Sequence, residues 1–319
     1  MNPPEHYLPQ DLIATLKHQH YALFGHSAVK LCLWTKQSLY KNRFCYKQKF
    51  YGIQSHRCMQ MTPCVSFCEQ KCVYCWRPLT EFNHFAKECD DPKEIVEHSI
   101  ANQRILLSGY GALREQIGEK KLSEAFDPKQ VAISLAGEPT LYPKLGELIK
   151  EFRKRKMTTF LVSNGLHPEV LEEITLPTQL YVSLEGANEQ MHKKIDVPLI
   201  KNSWKKINES LELLSSLKTR TVVRITAIKG LNMEKEKEFA ALLEKASPHY
   251  LEIKSYMFLG SSRERLKQEN MPTFEEVLKF SENISEHCGY IVKDYSKESR
   301  VVLLVRDDLK DVSTKITFC

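Results

Sequence analysis

Nothing at the start of the chain has the form of an export signal. "MNPPEHYLPQDLIATLK" carries no basic stretch followed by an apolar one. Long apolar runs are missing too: "VVLLV" at 301–305 is among the longest, far short of the ~20 residues that span a bilayer. Internal repeats, linkers and low-complexity tracts are absent, which excludes solenoids and disordered scaffolds. These absences predict a cytoplasmic protein without a membrane partner, and a monomer is expected. The composition is otherwise that of a globular protein, with 319 residues, 42% hydrophobic and 27% charged, enough for one large core or two modest ones. A net charge of +6 is too mild to indicate nucleic acid by itself. One stretch, however, lacks acidic residues altogether. From Lys30 to Arg57 there are seven Lys/Arg, six aromatics and no Asp or Glu. That mixture suits an RNA backbone with splayed bases; it equally suits a solvated basic face with its rings packed inward.

Short apolar runs of strand length recur at 130–137, 158–164, 179–186, 221–228 and 249–256, with one more beginning near Met59–Pro63. Amphipathic segments of helix length lie at 93–109, 144–156, 168–175, 203–217, 235–246 and 274–287. The alternation predicts an α/β fold with a parallel sheet covered by helices. About six βα units are too few for a closed eight-stranded barrel, so the expectation is an open, partial (βα)6 TIM-like barrel, finished by an antiparallel pair around Tyr290–Val305. Residues 1–57 read as an N-terminal extension carrying cysteines, 58–290 as the barrel and 291–319 as a strand pair and tail. Functional residues are expected at the C-terminal strand ends, where Gly137-Glu138-Pro139, Ser163-Asn164-Gly165, Ser183, Arg224 and Lys254 fall.

Seven of the ten cysteines lie between Cys32 and Cys75. In a reducing compartment such clustering points to metal or to chemistry rather than to disulfides. Cys89, Cys288 and Cys319 are scattered and read as buried or free thiols. Cys68, Cys72 and Cys75 form C-x3-C-x2-C. A zinc site would need four ligands, whereas a cubane iron–sulfur cluster can take three thiolates and leave one iron open. The run "CEQKCVYC", with Tyr74 before its last cysteine, resembles the signature of the radical S-adenosylmethionine (SAM) superfamily. That resemblance implies a 4Fe–4S cluster whose open iron is chelated by SAM, and whose reduction cleaves SAM to a 5′-deoxyadenosyl radical.

Upstream, Cys32, Cys45 and Cys58 are spaced C-x12-C-x12-C. With "CYKQKFYGIQSHRC" (45–58), "CVYCWRP" (72–78), "LAGEPTLYP" (135–143) and "KKIDVPL" (193–199), the stretch from Cys32 to Lys254 resembles tRNA 4-demethylwyosine synthases, in their short archaeal form without a flavodoxin-like domain. The resemblance implies a carbon–carbon lyase of wybutosine biosynthesis. It would condense N1-methylguanosine, beside the anticodon of phenylalanine tRNA, with the C2–C3 unit of pyruvate, using an external flavodoxin- or ferredoxin-like electron donor. It also implies a second 4Fe–4S cluster on Cys32, Cys45 and Cys58, with Cys64 left over.

Residue roles follow from the same resemblance. Lys47, two residues after Cys45, matches the position proposed for the pyruvate site, either as a Schiff-base amine or as the partner of pyruvate's carboxylate while the second cluster binds pyruvate. Tyr74, Gly137, Glu138, Asn164, Ser183 and Arg224 are the SAM-site candidates, Arg224 through a bidentate carboxylate pair. Lys254 reads as a substrate contact or as an ion-pair partner of Glu252. RNA contacts are expected among Lys30–Arg57, Trp76-Arg77 and "KEFRKRK" at 150–156, the last equally a solvated helix end. Two other readings stay open: a different two-cluster radical-SAM enzyme, and a zinc-stabilised RNA-binding protein without catalysis.

Overall fold

The structure, a computed structural model, describes residues 8–78 and 89–317. Cys319 lies outside them. The described residues form ten strands: β1 (Ala22–Phe24), β2 (Ser27–Val29), β3 (Cys58–Thr62), β4 (Gln130–Ile133), β5 (Thr158–Ser163), β6 (Gln179–Ser183), β7 (Arg220–Ala227), β8 (Tyr250–Ser255), β9 (Tyr290–Ser296) and β10 (Val301–Arg306). The chain divides into two compact units. The first comprises 1–67, 84–161 and 315–319; the second comprises 68–83 and 162–314.

In the first unit the hairpin β1–β2 adds antiparallel to β3, and β3, β4 and β5 run parallel, with Met59 opposite Val131 and Val131 opposite Thr159. β4 is buried along its whole length, as a parallel strand covered on both faces should be. The predicted strand 130–137 stops at Ile133 because the chain turns at Gly137, where φ is +68°. Flanking helices follow their sequence signals. Pro92–Leu107 starts on an Asp91 cap with Pro92 in the first turn. Leu145–Lys154 buries Leu145, Leu148, Ile149 and Phe152, the one-sided spacing of an amphipathic helix.

In the second unit β6, β7 and β8 run parallel; β10 pairs antiparallel with β8, and β9 with β10. Helix Phe274–Ser285 begins with a Thr273/Glu276 capping box. The first ladder ends on β1 and the second on β9, each with a single partner strand, so neither closes on itself. The sequence reading missed β1, β2 and the helices Gln10–His18, Glu119–Ala125 and Glu189–Ile195. Three-residue strands and helices of two or three turns are too short to show a period. Among the described residues no helix is long and apolar enough to cross a membrane.

Candidate functional site

Each unit gathers one cysteine trio. In the first unit Cys32 occupies the N-cap of helix Leu33–Tyr40, Cys45 the N-cap of helix Tyr46–Tyr51, and Cys58 opens β3. Local hydrogen bonds set these positions: the Cys45 N–H donates to Ser55 Oγ at 2.9 Å and Thr35 Oγ1 donates to the Cys58 carbonyl at 3.2 Å. Burial pushes the Cys58 thiol far up, Cys32 and Cys45 push it further, and Lys47 opposes them. The three sulfurs and the Lys47 ammonium therefore share one neighbourhood. Lys47 is 8% exposed, with Nζ 4.6 Å from the centre of the Phe160 ring. His56 and Arg57 turn to other partners, Glu124 at 2.8 Å and Asp127 at 2.7 Å. Cys64 is fully buried, and its backbone carries the structural weight. A Cβ at position 137 would lie 1.8 Å from the Cys64 carbonyl oxygen, so only glycine fits. Glu138, 2% exposed, caps its own turn: Oε1 accepts from Thr140 N at 3.1 Å and Thr140 Oγ1 at 2.7 Å.

In the second unit Cys68, Cys72 and Cys75 lie on one loop that is braced along its length. Leu199 N–H donates to Glu69 O, Lys71 N–H to Val197 O at 3.1 Å, and Val73 N–H to Ile195 O at 2.8 Å. The cysteine loop is thus laid against 195–199 like an added strand. Arg265 donates to the carbonyls of Val73 (3.3 Å) and Cys75 (2.6 Å), and His167 Nε2 reaches Glu69 at 2.5 Å. Val197 holds φ +44° immediately before Pro198, a conformation unfavourable both for a β-branched residue and before proline.

Beneath the loop lies a buried acidic network that the sequence reading missed. Asp196 (2% exposed) sits 2.8 Å from His192 Nδ1, with the Cys72 thiol and the Tyr74 hydroxyl beside it. Glu185 (3% exposed) accepts from Thr226 Oγ1 at 3.0 Å and also neighbours the Tyr74 hydroxyl. Burial and Asp196 push the Glu185 carboxyl up to about 8. Burial, then Asp196, Cys68, Cys75 and Glu185, push the Cys72 thiol well up. Asp196 was visible in "KKIDVPL" but nothing local marked it as functional; Glu185, just after β6, carried no signal beyond its strand-end position.

The remaining candidates take these places. Asn164 follows β5, and its Oδ1 accepts from the Leu166 N–H at 3.0 Å. Ser183, the last residue of β6, is the register partner of Arg224, which lies within β7. The Arg224 guanidinium lies 3.7 Å from the buried Glu252, which also accepts from Tyr181 Oη at 3.0 Å. Lys254 donates to the Ser299 carbonyl at 2.7 Å. The Tyr74 ring packs with Ile195, Ile228 and Tyr256. In "KEFRKRK", Lys154 and Arg155 pair with Glu151, and Arg155 also with Glu97, as a solvated helix end would. Most rings of the Lys30–Arg57 stretch pack inward: Tyr46, Phe50 and Tyr51 are buried, while Phe44 is exposed.

Both trios fit iron–sulfur clusters by the chemistry of their donors. Burial and neighbouring thiols oppose ionisation of Cys58 and Cys72, so positive charge is needed to hold them as thiolates. Among the described residues no group of three or more His, Cys, Asp or Glu side chains is arranged to hold a single metal ion.

The family model "Radical SAM superfamily" matches residues 62–243, and "Wyosine base formation" matches 245–306. The S-adenosyl-L-methionine-dependent tRNA 4-demethylwyosine synthase of Pyrococcus abyssi is 47% identical over 317 residues, covering 97% of this chain and 92% of that protein. The chain belongs to the tRNA 4-demethylwyosine synthase family. A TYW1 structure with a lysine-pyruvate adduct bound superposes with a TM-score of 0.90 at 40% identity, covering 98% of this chain and all of that one. An archaeal TYW1 crystal structure gives 0.83 at 37% identity, covering 97% and 100%. As a family member the chain is a radical-SAM enzyme of wyosine formation on tRNA, using SAM and a 4Fe–4S cluster, and its fold is the unclosed partial TIM-like barrel that the strand–helix alternation predicted.

Proposed function

We propose that this enzyme condenses N1-methylguanosine, beside the anticodon of phenylalanine tRNA, with the C2–C3 unit of pyruvate to form 4-demethylwyosine. It would work in the cytoplasm, as a monomer, and receive electrons from an external flavodoxin- or ferredoxin-like donor. Cys68, Cys72 and Cys75 would hold the SAM-binding cluster, and Cys32, Cys45 and Cys58 a second 4Fe–4S cluster. The observation that carries the reading is Lys47. A primary amine, withdrawn from water over Phe160, lies among the three thiols of the first unit. A related protein has been solved with a lysine-pyruvate adduct.

When bound, the cluster and SAM supply the deoxyadenosyl radical that takes a hydrogen atom from the substrate methyl group. The protein's own residues do the rest. The Lys47 amine would attack the C2 carbonyl of pyruvate, forming a C=N bond and releasing water; the C1–C2 bond then breaks with loss of the C1 carboxylate, and on ring closure the guanine amino group displaces the lysine amine from C2. Gly137 lets the turn after β4 press against the Cys64 backbone; Glu138, Asn164 and Ser183 would offer polar groups at strand ends for SAM, and Arg224 one from within β7. For Arg224 to receive a carboxylate it must share or leave Glu252.

Borohydride reduction in the presence of pyruvate tests the reading. A covalent adduct mapped to Lys47 is expected. Failure to trap it on a protein that makes product would remove the covalent role and leave Lys47 as the carboxylate's partner. Anaerobic iron and sulfide analysis tests the second cluster: about eight of each per chain are expected for two full cubanes.

A further inference from the structure

Of the three tryptophans, Trp34 and Trp204 are half-buried and Trp76 is 41% exposed. Trp76 directly follows Cys75, so its backbone is fixed with the cysteine loop. The loop 257–263 of the same unit holds it from the other side. Ser261 N–H donates to the Trp76 carbonyl at 3.2 Å. Gly260 has φ +53°, and a Cβ there would lie 2.2 Å from the same oxygen. Met257 and Leu259, on the same loop, are 36% and 45% exposed.

The ring is also backed by charge. The Arg77 guanidinium carbon lies 3.2 Å from the ring centre, and Arg77 itself is only 6% exposed. A cation stacked under an aromatic ring stiffens and polarises it. Arg263, exposed and set over Phe258 at 5.3 Å, puts a second guanidinium at the rim. An immobile indole, soft apolar neighbours and a nearby cation are the parts from which proteins build stacking surfaces for unpaired bases.

We propose that Trp76, backed by Arg77 and held by the loop that exposes Met257 and Leu259, is a stacking platform for an unstacked base of the tRNA substrate, with Arg263 meeting an adjacent phosphate. The proposal rests on the family's action on tRNA. The target guanosine has to leave its stack to be reached, and a platform one residue beyond the third cysteine is placed to receive it or its neighbour.

The test is the affinity of iron-loaded enzyme for tRNA containing N1-methylguanosine, measured against salt. Trp76→Ala should weaken binding by roughly 5- to 150-fold, the range of one lost base stack, with the salt dependence unchanged. Trp76→Phe should stay within about threefold of the parent. Arg263→Ala should instead flatten the salt dependence by about one phosphate contact. If Trp76→Ala does not retain its iron, the double substitution Met257→Ala/Leu259→Ala carries the test and should weaken binding at least about threefold. Unchanged tRNA affinity in the loaded variant overturns the platform. So does unchanged affinity with slower reduction by flavodoxin, which would assign the patch to the electron donor. A parent enzyme that does not bind tRNA would overturn the functional reading as well, whereas a parent that binds and a variant that binds equally overturn the platform alone.

Discussion

Cys68, Cys72 and Cys75 sit within eight residues on one loop, whereas Cys32, Cys45 and Cys58 come from the starts of two helices and a strand. The loop is positioned by backbone hydrogen bonds to 195–199 and by the Arg265 fork. Cys32 and Cys45 sit at the starts of short helices, and their meeting with Cys58 depends on how those elements pack. A metal that binds both trios should therefore be a guest in the braced loop and a structural member in the dispersed one, because metal binding and local folding are coupled where no preformed site exists.

The strongest way to break this comparison is to remove one thiol from each trio. Cys72→Ala should abolish SAM cleavage and product together, a loss of about 10³-fold or more, and remove roughly four irons of about eight. Cys45→Ala should lose the tRNA product while still cleaving SAM. If both variants lose SAM cleavage equally, the division of labour between the trios is wrong.

Gly137→Ala strikes the backbone that supports the first unit's turn. Its Cβ would collide with the Cys64 and Phe67 carbonyl oxygens, at 1.8 and 2.6 Å, in a left-handed conformation. A destabilisation of at least about 2–3 kcal/mol is expected in urea unfolding. A change under about 1 kcal/mol would show that the turn can relax.

Chelating the iron gives a gentler and more direct reading. Hydrogen exchange should quicken across 30–57 more than across 68–75, because the latter keeps its hydrogen bonds to Ile195, Val197 and Arg265. Equal deprotection of the two segments would mean that the bracing does not hold the loop without metal.

The smallest expected effect is a pH response of opposite sign in the two units. In the first, burial lowers the His26 imidazole below its usual value against the opposing pull of Asp90. The unfolded chain then takes up the proton first, and stability falls as pH drops below about 6.5. In the second, the Glu185 carboxyl, pushed up to about 8, stays protonated when the unfolded chain has already ionised. Its contribution is therefore complete below about 4.5 and is lost as pH rises towards 8. Hydrogen exchange corrected for intrinsic rates, compared between His26→Gln and Glu185→Gln, should show the slope vanish at the acid side in one unit and at the alkaline side in the other.

The strand–helix order was legible because each element is long enough to show its period: six helices and six parallel strands fall where apolar spacing placed them. The radical-SAM loop was legible for a similar reason, since three thiols in eight residues are close whatever the rest of the chain does. Lys47 could be named from its neighbours in "CYKQKF", but its burial over Phe160 depends on a residue 113 positions away, Phe160 in β5. Glu185, Asp196 and His192 were not legible as a network, because carboxylates that meet under a loop share no spacing.

Local order along the chain thus determined where thiols cluster and which elements form, since cysteine spacing and apolar periodicity act over a few residues. Tertiary structure alone decided how the thiols are held, why position 137 must be glycine, and that Arg224 is tied to Glu252 while Trp76 stands exposed. Each of these depends on what a distant segment places within a few ångströms, and neither spacing nor composition records that.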